Sequence, residues 1–408
     1  MKVLLINKYH YIKGGADAVF FNTKNLLESY GIETIEFCTN NSKNTRSKWE
    51  KYFVFAPEIR ELTGWRKKAQ QIIRFIWNRD AAKKLEKLIR EERPDVAHLH
   101  NIFNGISLSI LPVLKKHHVP VVVTMHDTRF ICPSSYFNTR VWCNNCLKYG
   151  CVSCGLHRCY QDDFINSWMC TLEMMHKEKW FRYDKYIDHY IFVSKKYMQF
   201  YAERHNWFKE KGSVLYNFLP NQYDIGMSCN RGSYLLYYGR ITKEKGIVTL
   251  VEAVKMLPNV RLIVAGDGPL LPNMKQKSIK NVEFVGFKRG DELFDLLKYA
   301  SFVLVPSEWE ENNPLTIIES YSYGKPVIGS NMGGIPEIID DNITGFIFQA
   351  FSRSALADTI VKAINVTDEQ YMQMAQQARL LAEKYFSPQT HYLRLMEIYD
   401  KVMNYENH

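Results

Sequence analysis

The segment Pro306-Ser307-Glu308-Trp309-Glu310-Glu311-Asn312-Asn313-Pro314-Leu315-Thr316-Ile317-Ile318-Glu319 gathers groups that can do chemistry around a helix start. Asn313 suits an N-cap and Pro314 the first helical position, while Gly324 and Pro326 stop the helix. Glu311 then falls in the entering loop and Glu319 on the helix. A helix start offers unpaired N–H donors and partial positive charge, which suits hydroxyls and phosphates. A carboxylate only accepts, so Glu311 and Glu319 suit vicinal hydroxyls rather than a second phosphate. The same spacing also fits a capped helix carrying two solvated glutamates.

The elements that must position these groups alternate strand and helix in two halves. In the first half the pattern predicts strands at Val3 to Asn7, Val96 to Leu99, Val119 to Thr124 and Tyr190 to Val193, with a helix from Ala16 to Tyr30 closed by Gly31. In the second it predicts strands at Tyr234 to Tyr238, Val260 to Val264, Val282 to Val285, Phe302 to Val305 and Val327 to Ile328. This is an α/β protein with two doubly wound parallel sheets, whose ligands bind at the carboxyl ends of strands. Asn217-Phe218-Leu219-Pro220-Asn221 has the turn chemistry of a linker. The expected domains are 1–219, with a Cys-rich insertion at about 130–160 and a returning helix at 390–408, and 220–389.

Other chemistry-bearing residues follow predicted strands. Gly14 and Gly15 follow the first strand and leave room for close backbone approach, although a Gly-Gly loop is common in α/β proteins. His126 and Asp127 come directly after Val121-Val122-Val123-Thr124, where a histidine can bond a hydroxyl or serve the structure alone. Asn101 after Leu99-His100 is a further candidate on that side. Arg240 and Lys245 follow the strand Tyr234 to Tyr238 and can reach one diphosphate from a loop and first helical turn.

Six of the nine cysteines lie in the insertion after the His-Asp pair. Cys143/Cys146 and Cys151/Cys154 form two Cys-x-x-Cys pairs suited to tetrahedral zinc, and the set Cys132, Cys143, Cys146 and Cys159 spaces more naturally. Reduced free thiols are the other reading, and disulfides are disfavoured in a reducing compartment.

The chain has 408 residues, 46% hydrophobic, enough for two cores, with a net charge of +10. No apolar run spans a bilayer, and Met1 to Asn7 reads as a buried strand rather than a signal segment, so a cytoplasmic location is expected. From Trp65 to Arg93 a helical pattern sets Trp65, Ile72, Ile76, Leu85 and Leu88 against a basic face including Arg66, Lys67, Arg79, Lys83 and Lys87. That segment fits peripheral contact with an anionic membrane, or an ordinary domain helix with a solvated basic side. Nothing in the sequence has a nucleic-acid-binding pattern.

Taken together, Pro306-Ser307, the two glutamates, Gly324-Lys325-Pro326-Val327 and Gly333-Gly334-Ile335-Pro336-Glu337 resemble the signature of retaining glycosyltransferase family 4. Upstream, Gly239-Arg240 through Lys245-Gly246 and Gly266-Asp267-Gly268-Pro269 are similar to the same family's donor-side elements. The resemblance implies a GT-B fold, two Rossmann-like domains facing a central cleft, with the last helix crossing back to the first domain. It implies a nucleotide-sugar donor, a glycan or lipid-linked saccharide acceptor, and retention of anomeric configuration without a catalytic metal. Arg240 and Lys245 would hold and neutralise the diphosphate, Glu319 the ribose, and Glu311 the transferred sugar. Asn313, Pro314 and Leu315 would line the sugar and nearer phosphate, Phe287 would flank the base, and His126 would face the donor sugar. Many family members have Gly-Phe-Gly where this chain has Asn312-Asn313-Pro314, which leaves the sugar open. The cysteine insertion, ending in His157-Arg158-Cys159, resembles inserts in a subset of bacterial polysaccharide glycosyltransferases.

Transfer in surface polysaccharide biosynthesis is therefore the expected function. A nucleotide-sugar epimerase of similar fold and a non-catalytic partner subunit are the alternatives. The first needs an acid/base pair of its own, and the second should have lost some of Arg240, Lys245, Glu311 or Glu319, all of which are present.

Overall fold

The computed structural model describes residues 1–56, 73–103, 105–134, 145–160, 162–219 and 231–405. It divides into two compact units: Met1–Val193 with Met198–Leu215 and Tyr392–His408, and Ser194–Tyr197 with Tyr216–His391.

The first unit is built on β1 (Lys2–Ile6), β2 (Glu33–Phe37), β3 (Val96–Leu99), β4 (Val121–Met125), β5 (His189–Phe192) and β6 (Gly212–Val214), in the order β2-β1-β3-β4-β5-β6. All pairs are parallel. β1, β3 and β4 are almost wholly buried and mainly apolar, as central parallel strands are, with His98 and Thr124 the polar exceptions in β3 and β4. The edge strands β2 and β6 lie outside the predicted set. Glu33 and Glu36 interrupt the apolar pattern of β2, and β6 is three residues long, so neither carries a strong strand signal.

The second unit holds β7 (Tyr234–Tyr238), β8 (Leu262–Ala265), β9 (Val282–Gly286), β10 (Ala300–Val305), β11 (Val327–Ser330) and β12 (Gly345–Phe348), in the order β12-β11-β10-β7-β8-β9. Strand alternation splits its core in two. Leu235, Tyr237, Leu262, Val264, Phe302 and Leu304 pack with the helices Ile247–Lys255 and Arg353–Ile364. Leu236, Tyr238, Ile263, Val303 and Val305 pack on the other face with Ile317 and Ile318 of the helix Leu315–Ser322 and with Ala378 and Ala382 of the helix Asp368–Phe386. Tyr238 is thereby aimed at the helix that follows the acidic loop.

The basic segment expected from Trp65 to Arg93 is not one helix. Asn78 starts a new helix, Arg79–Glu92, its Oδ1 accepting from the Asp80 and Ala81 N–H groups at 3.1 and 3.2 Å. That helix buries Ala81, Leu85, Leu88 and Ile89 in the first unit. Residues 57–72, including Trp65, Arg66, Lys67 and Ile72, lie outside the described residues, as do 220–230, which include the linker's Pro220 and Asn221.

Candidate functional site

Glycines draw the donor-side loops of the second unit together. Gly246 has φ +70°, and a Cβ there would meet the Pro306 carbonyl oxygen at 1.8 Å. Gly333, at φ +58°, lies so close to Glu311 that a Cβ would stand 2.1 Å from its carbonyl oxygen, while the Gly334 N–H donates to that same oxygen at 2.6 Å. The loop after β7, the acidic loop after β10 and the Gly-Gly loop after β11 are thus held in contact by backbone that only glycine allows.

Within this arrangement Lys245 Nζ pairs with Glu311 Oε1 at 2.5 Å, and the Ser307 hydroxyl donates to the same oxygen at 2.9 Å. The Lys245 side chain is 38% exposed and that of Glu311 13%. The two residues expected at different ends of a ligand therefore hold each other in the ligand-free chain. Arg240 is exposed, and its guanidinium makes no hydrogen bond or ion pair among the described residues. Phe287 is 68% exposed just beyond β9.

The helix starts one residue later than its sequence predicts. Pro314 is the N-cap, with φ −69° and ψ 117°, and Leu315 is the first helical residue. Asn313 does not cap: its Oδ1 accepts from the Asn217 N–H at 2.8 Å, and its carbonyl accepts from Asn217 Nδ2 at 3.0 Å. A side chain bound to a distant segment is not available to the first helical turn. The early N–H groups of Leu315 and Thr316 are left for a ligand by helix geometry.

Glu319 lies on this helix beneath Tyr238, whose hydroxyl is 3.1 Å from Glu319 Oε2 and 2.9 Å from the Thr316 carbonyl. Burial pushes the Glu319 carboxyl up to about 7, against a smaller downward pull from the Tyr238 hydroxyl. Glu337 of the Gly-Gly-x-Pro-Glu loop has a structural job, its carboxylate accepting from the Lys195 and Lys196 N–H groups at 2.8 and 2.6 Å.

The candidates of the first unit are arranged differently. Gly14 has extended backbone at φ −163° and precedes the helix Gly15–Ser29. A Cβ at Gly14 or Gly15 would meet nothing within 4 Å, so neither glycine is required by its neighbours, and both border open space. Asp17 fastens this turn, accepting from the Lys13 and Gly14 N–H groups and from Asn7 Nδ2, while Asn7 Oδ1 accepts from the Asn101 N–H. His126 follows β4, partly exposed, and burial pushes its imidazole down to about 4. Its Nε2 lies 2.8 Å from His100 Nδ1.

In the insertion Cys146, Cys151 and Cys154 are buried and Cys132 and Cys159 partly so. The thiols of Cys154 and Cys159 hydrogen-bond to each other, whereas Cys151 faces the charges of Glu178 and Arg204. Cys143 lies outside the described residues. Among the described residues no group of three or more His, Cys, Asp or Glu is disposed to hold a metal ion.

Sequence reasoning missed Tyr238 and His100 as site components. The former looked like an ordinary core residue, and only its place at the last position of β7 points to the crevice. His100 stood beside a candidate without being chosen.

Two units, each built on a doubly wound parallel sheet, the second with a cluster of cation, acid and helix N–H groups, match the fold of the GT-B glycosyltransferases. The comparisons agree. Residues 13–222 match the model for Glycosyltransferase Family 4, and residues 230–381 match Glycosyl transferases group 1. The chain belongs to glycosyltransferase family 4. It is 22% identical over 351 residues to an uncharacterized 42.6 kDa protein in the cps region of Klebsiella pneumoniae, covering 83% of this chain and 87% of that one. It is 30% identical over 172 residues to the lipopolysaccharide 1,2-N-acetylglucosaminetransferase of Salmonella typhimurium, covering 38% of this chain but only 44% of the relative. Among solved structures, a Rickettsia africae glycosyltransferase superposes with a TM-score of 0.70 at 18% identity over 98% of both chains. An Anabaena protein, HepE, solved in complex with UDP, does so at 0.62 and 17%, over 98% of this chain and all of that one. No helix among the described residues is long and apolar enough to cross a membrane.

Proposed function

We propose that this glycosyltransferase moves a sugar from a nucleoside diphosphate sugar to a glycan or lipid-linked saccharide in surface polysaccharide biosynthesis, with retention of anomeric configuration. The observation that carries the donor assignment is the cluster of Lys245, Ser307 and Glu311 ahead of the helix Leu315–Ser322, with Glu319 on that helix. Arg240 and Lys245 bind the diphosphate and neutralise charge that grows on it as the glycosidic bond breaks, the kind of fixed electrostatic help that dominates many enzymes. The Leu315 and Thr316 N–H groups add partial positive charge, and Pro314 contributes none because it lacks an N–H. Glu319, ionised, accepts from the ribose hydroxyls. Glu311 is released from Lys245 when phosphate takes the lysine, and then accepts from the transferred sugar.

The acceptor assignment is supported by relatives named for the cps region of Klebsiella pneumoniae and for amylovoran biosynthesis in Erwinia amylovora. A cytoplasmic protein working at the inner face of a membrane fits such an acceptor. In the reaction the leaving phosphate takes the acceptor's proton on the same face of the sugar, since no side chain of the cluster is placed as an evident covalent nucleophile.

Thermal shift against a panel of nucleotide sugars tests the donor. The true donor at 100 times its Kd stabilises the fold by about 2.7 kcal/mol. The anomeric proton coupling of the product then tests retention: an α-linked donor must yield an α-linked product, and inversion contradicts the reading.

A further inference from the structure

Two residues beyond β10, Ser307 is 1% exposed and sits where three loops of the second unit meet. Its carbonyl accepts from the hydroxyl of Ser330, the last residue of β11, at 2.6 Å. The next N–H, that of Glu308, donates to the Glu244 carbonyl at 2.9 Å. The Ser307 backbone is therefore pinned both to the loop that carries Lys245 and to the end of the strand ahead of the Gly-Gly loop.

The Ser307 hydroxyl accepts from the Trp309 N–H at 3.3 Å and has one hydrogen of its own to give. Three acceptors are in reach: Glu311 Oε1 at 2.9 Å, and the Glu244 and Trp309 carbonyls at 3.3 Å each. The hydrogen goes to the nearest and most negative of them, and the Glu311 carboxylate is both. Glu311 Oε1 thus takes two donors, Lys245 Nζ and Ser307 Oγ, whereas Oε2 makes no hydrogen bond or ion pair among the described residues. The Glu311 backbone is fixed separately, its N–H donating to the Trp309 carbonyl at 2.8 Å and its carbonyl accepting from the Gly334 N–H at 2.6 Å.

A ligand acts differently on the two donors. Lys245 is partly exposed at the end of a flexible four-carbon stem, so a phosphate can draw it away. Ser307 is buried, has a single side-chain torsion and is tied at its backbone, so it stays. Without it, a Glu311 released by the lysine would regain the freedom of three torsions, and an acceptor that must be ordered again costs rate.

We propose that, with Glu311 as the sugar-binding acid on which the proposed function rests, Ser307 is a positioning residue that keeps hold of Glu311 Oε1 after Lys245 has turned to the diphosphate, so that Oε2 stays aimed at a hydroxyl of the transferred sugar. The ion pair then opens at one end only. The cation leaves, and the acid remains where the closed pair had set it.

Ser307→Ala removes one oxygen, and Glu311→Ala leaves the Ser307 hydroxyl two carbonyls to turn to, so the single variants and their double can be compared on one fold. With the nucleotide sugar selected by thermal shift as donor, kcat/KM should fall about tenfold or more in Ser307→Ala, the worth of a hydrogen bond to a charged group. Calorimetry with the nucleoside diphosphate of that donor should give a Kd within about twofold of the parent, because Ser307 holds Glu311 with or without ligand; a Ser307 that merely joined the loops would weaken this binding as well. Adding Ser307→Ala to Glu311→Ala should cost less than about a further twofold in kcat/KM, as for two residues that act as one unit. Parent-like kcat/KM in Ser307→Ala beside an impaired Glu311→Ala, a loss of diphosphate affinity equal to the loss in kcat/KM, or additive losses in the double variant overturns the proposal and leaves the glycosyltransferase reading standing. Parent-like kcat/KM in Glu311→Ala, or a parent that consumes no nucleotide sugar, overturns that reading and the proposal together.

Discussion

The two units each place candidate groups at the carboxyl ends of a parallel sheet, but by opposite means. In the second unit the groups are charged, and they are held by loops packed so tightly that Gly246 and Gly333 admit no Cβ. In the first the polar groups are histidines linked by short contacts, and the glycines of its loop border open space. Developing charge needs fixed countercharge, and fixed countercharge needs rigid backbone. Neutral hydroxyls need only a hydrogen-bonding group, which a histidine can supply.

The largest expected effect comes from the rigid side. Gly246→Ala forces a side chain into left-handed backbone against the Pro306 carbonyl, and should lower stability by about 3 kcal/mol or more, whereas Gly14→Ala should stay within about 0.5 kcal/mol of the parent. Denaturant unfolding of both variants checks the contrast, and equal losses would erase it.

Next come the cations. Under the proposed donor assignment, Arg240→Ala and Lys245→Ala should each reduce turnover by about 10² or more, since each would remove charge that the leaving phosphate needs. Steady-state kinetics with the identified donor measure this, and normal kinetics in both variants would dismantle the donor assignment.

Glu319 gives a pH signature of its own. Its folded-state carboxyl stands at about 7, above the ordinary 4.5, so the folded chain holds more protons than the unfolded one between those values. This residue's contribution to stability therefore falls as pH rises through that window. Glu319→Gln should gain about 1–3 kcal/mol relative to the parent on going from pH 5 to pH 8. Under the proposed ribose role, nucleotide affinity should move the other way: only the ionised form would accept from both ribose hydroxyls, so parent affinity should rise up to about tenfold from pH 6 to pH 8, and that extra rise should vanish in Glu319→Gln.

The smallest effect separates the two acids. Because Glu311 occupies Lys245 in the ligand-free chain, Glu311→Gln should tighten nucleoside diphosphate binding by about two- to fivefold, the worth of a partly exposed ion pair, while impairing use of the intact donor. Glu319→Gln should weaken the same binding. Calorimetry distinguishes the signs, and a shared direction would show that the acids do not divide the ligand.

Much of this was legible in the residues because central parallel strands are apolar throughout and their flanking loops carry the punctuation. β4 and β10 could be traced from Val, Leu and Phe runs, β7 from its Leu and Tyr residues, and the helix after Pro314 from Gly324 and Pro326. What stayed hidden depends on contacts far apart in the chain. Asn313 has the local preference of an N-cap, and only Asn217, 96 residues away, redirects it. The Lys245–Glu311 pair joins residues 66 apart, and the His98–Tyr399 contact residues 301 apart, separations at which spacing carries no information. The edge strands β2 and β6 escaped because Glu33 and Glu36 break the apolar pattern of the first and the second is only three residues long.

The central claim is that the charged cluster of the second unit, and not the histidine chain of the first, holds the nucleotide. Calorimetric titration of UDP, and of the other common nucleoside diphosphates in parallel, into the parent, Lys245→Ala and His126→Ala tests it most directly. The account predicts binding of one nucleoside diphosphate that weakens about tenfold or more in Lys245→Ala and is unchanged in His126→Ala. Equal binding by the parent and Lys245→Ala, or loss of binding in His126→Ala alone, would contradict it.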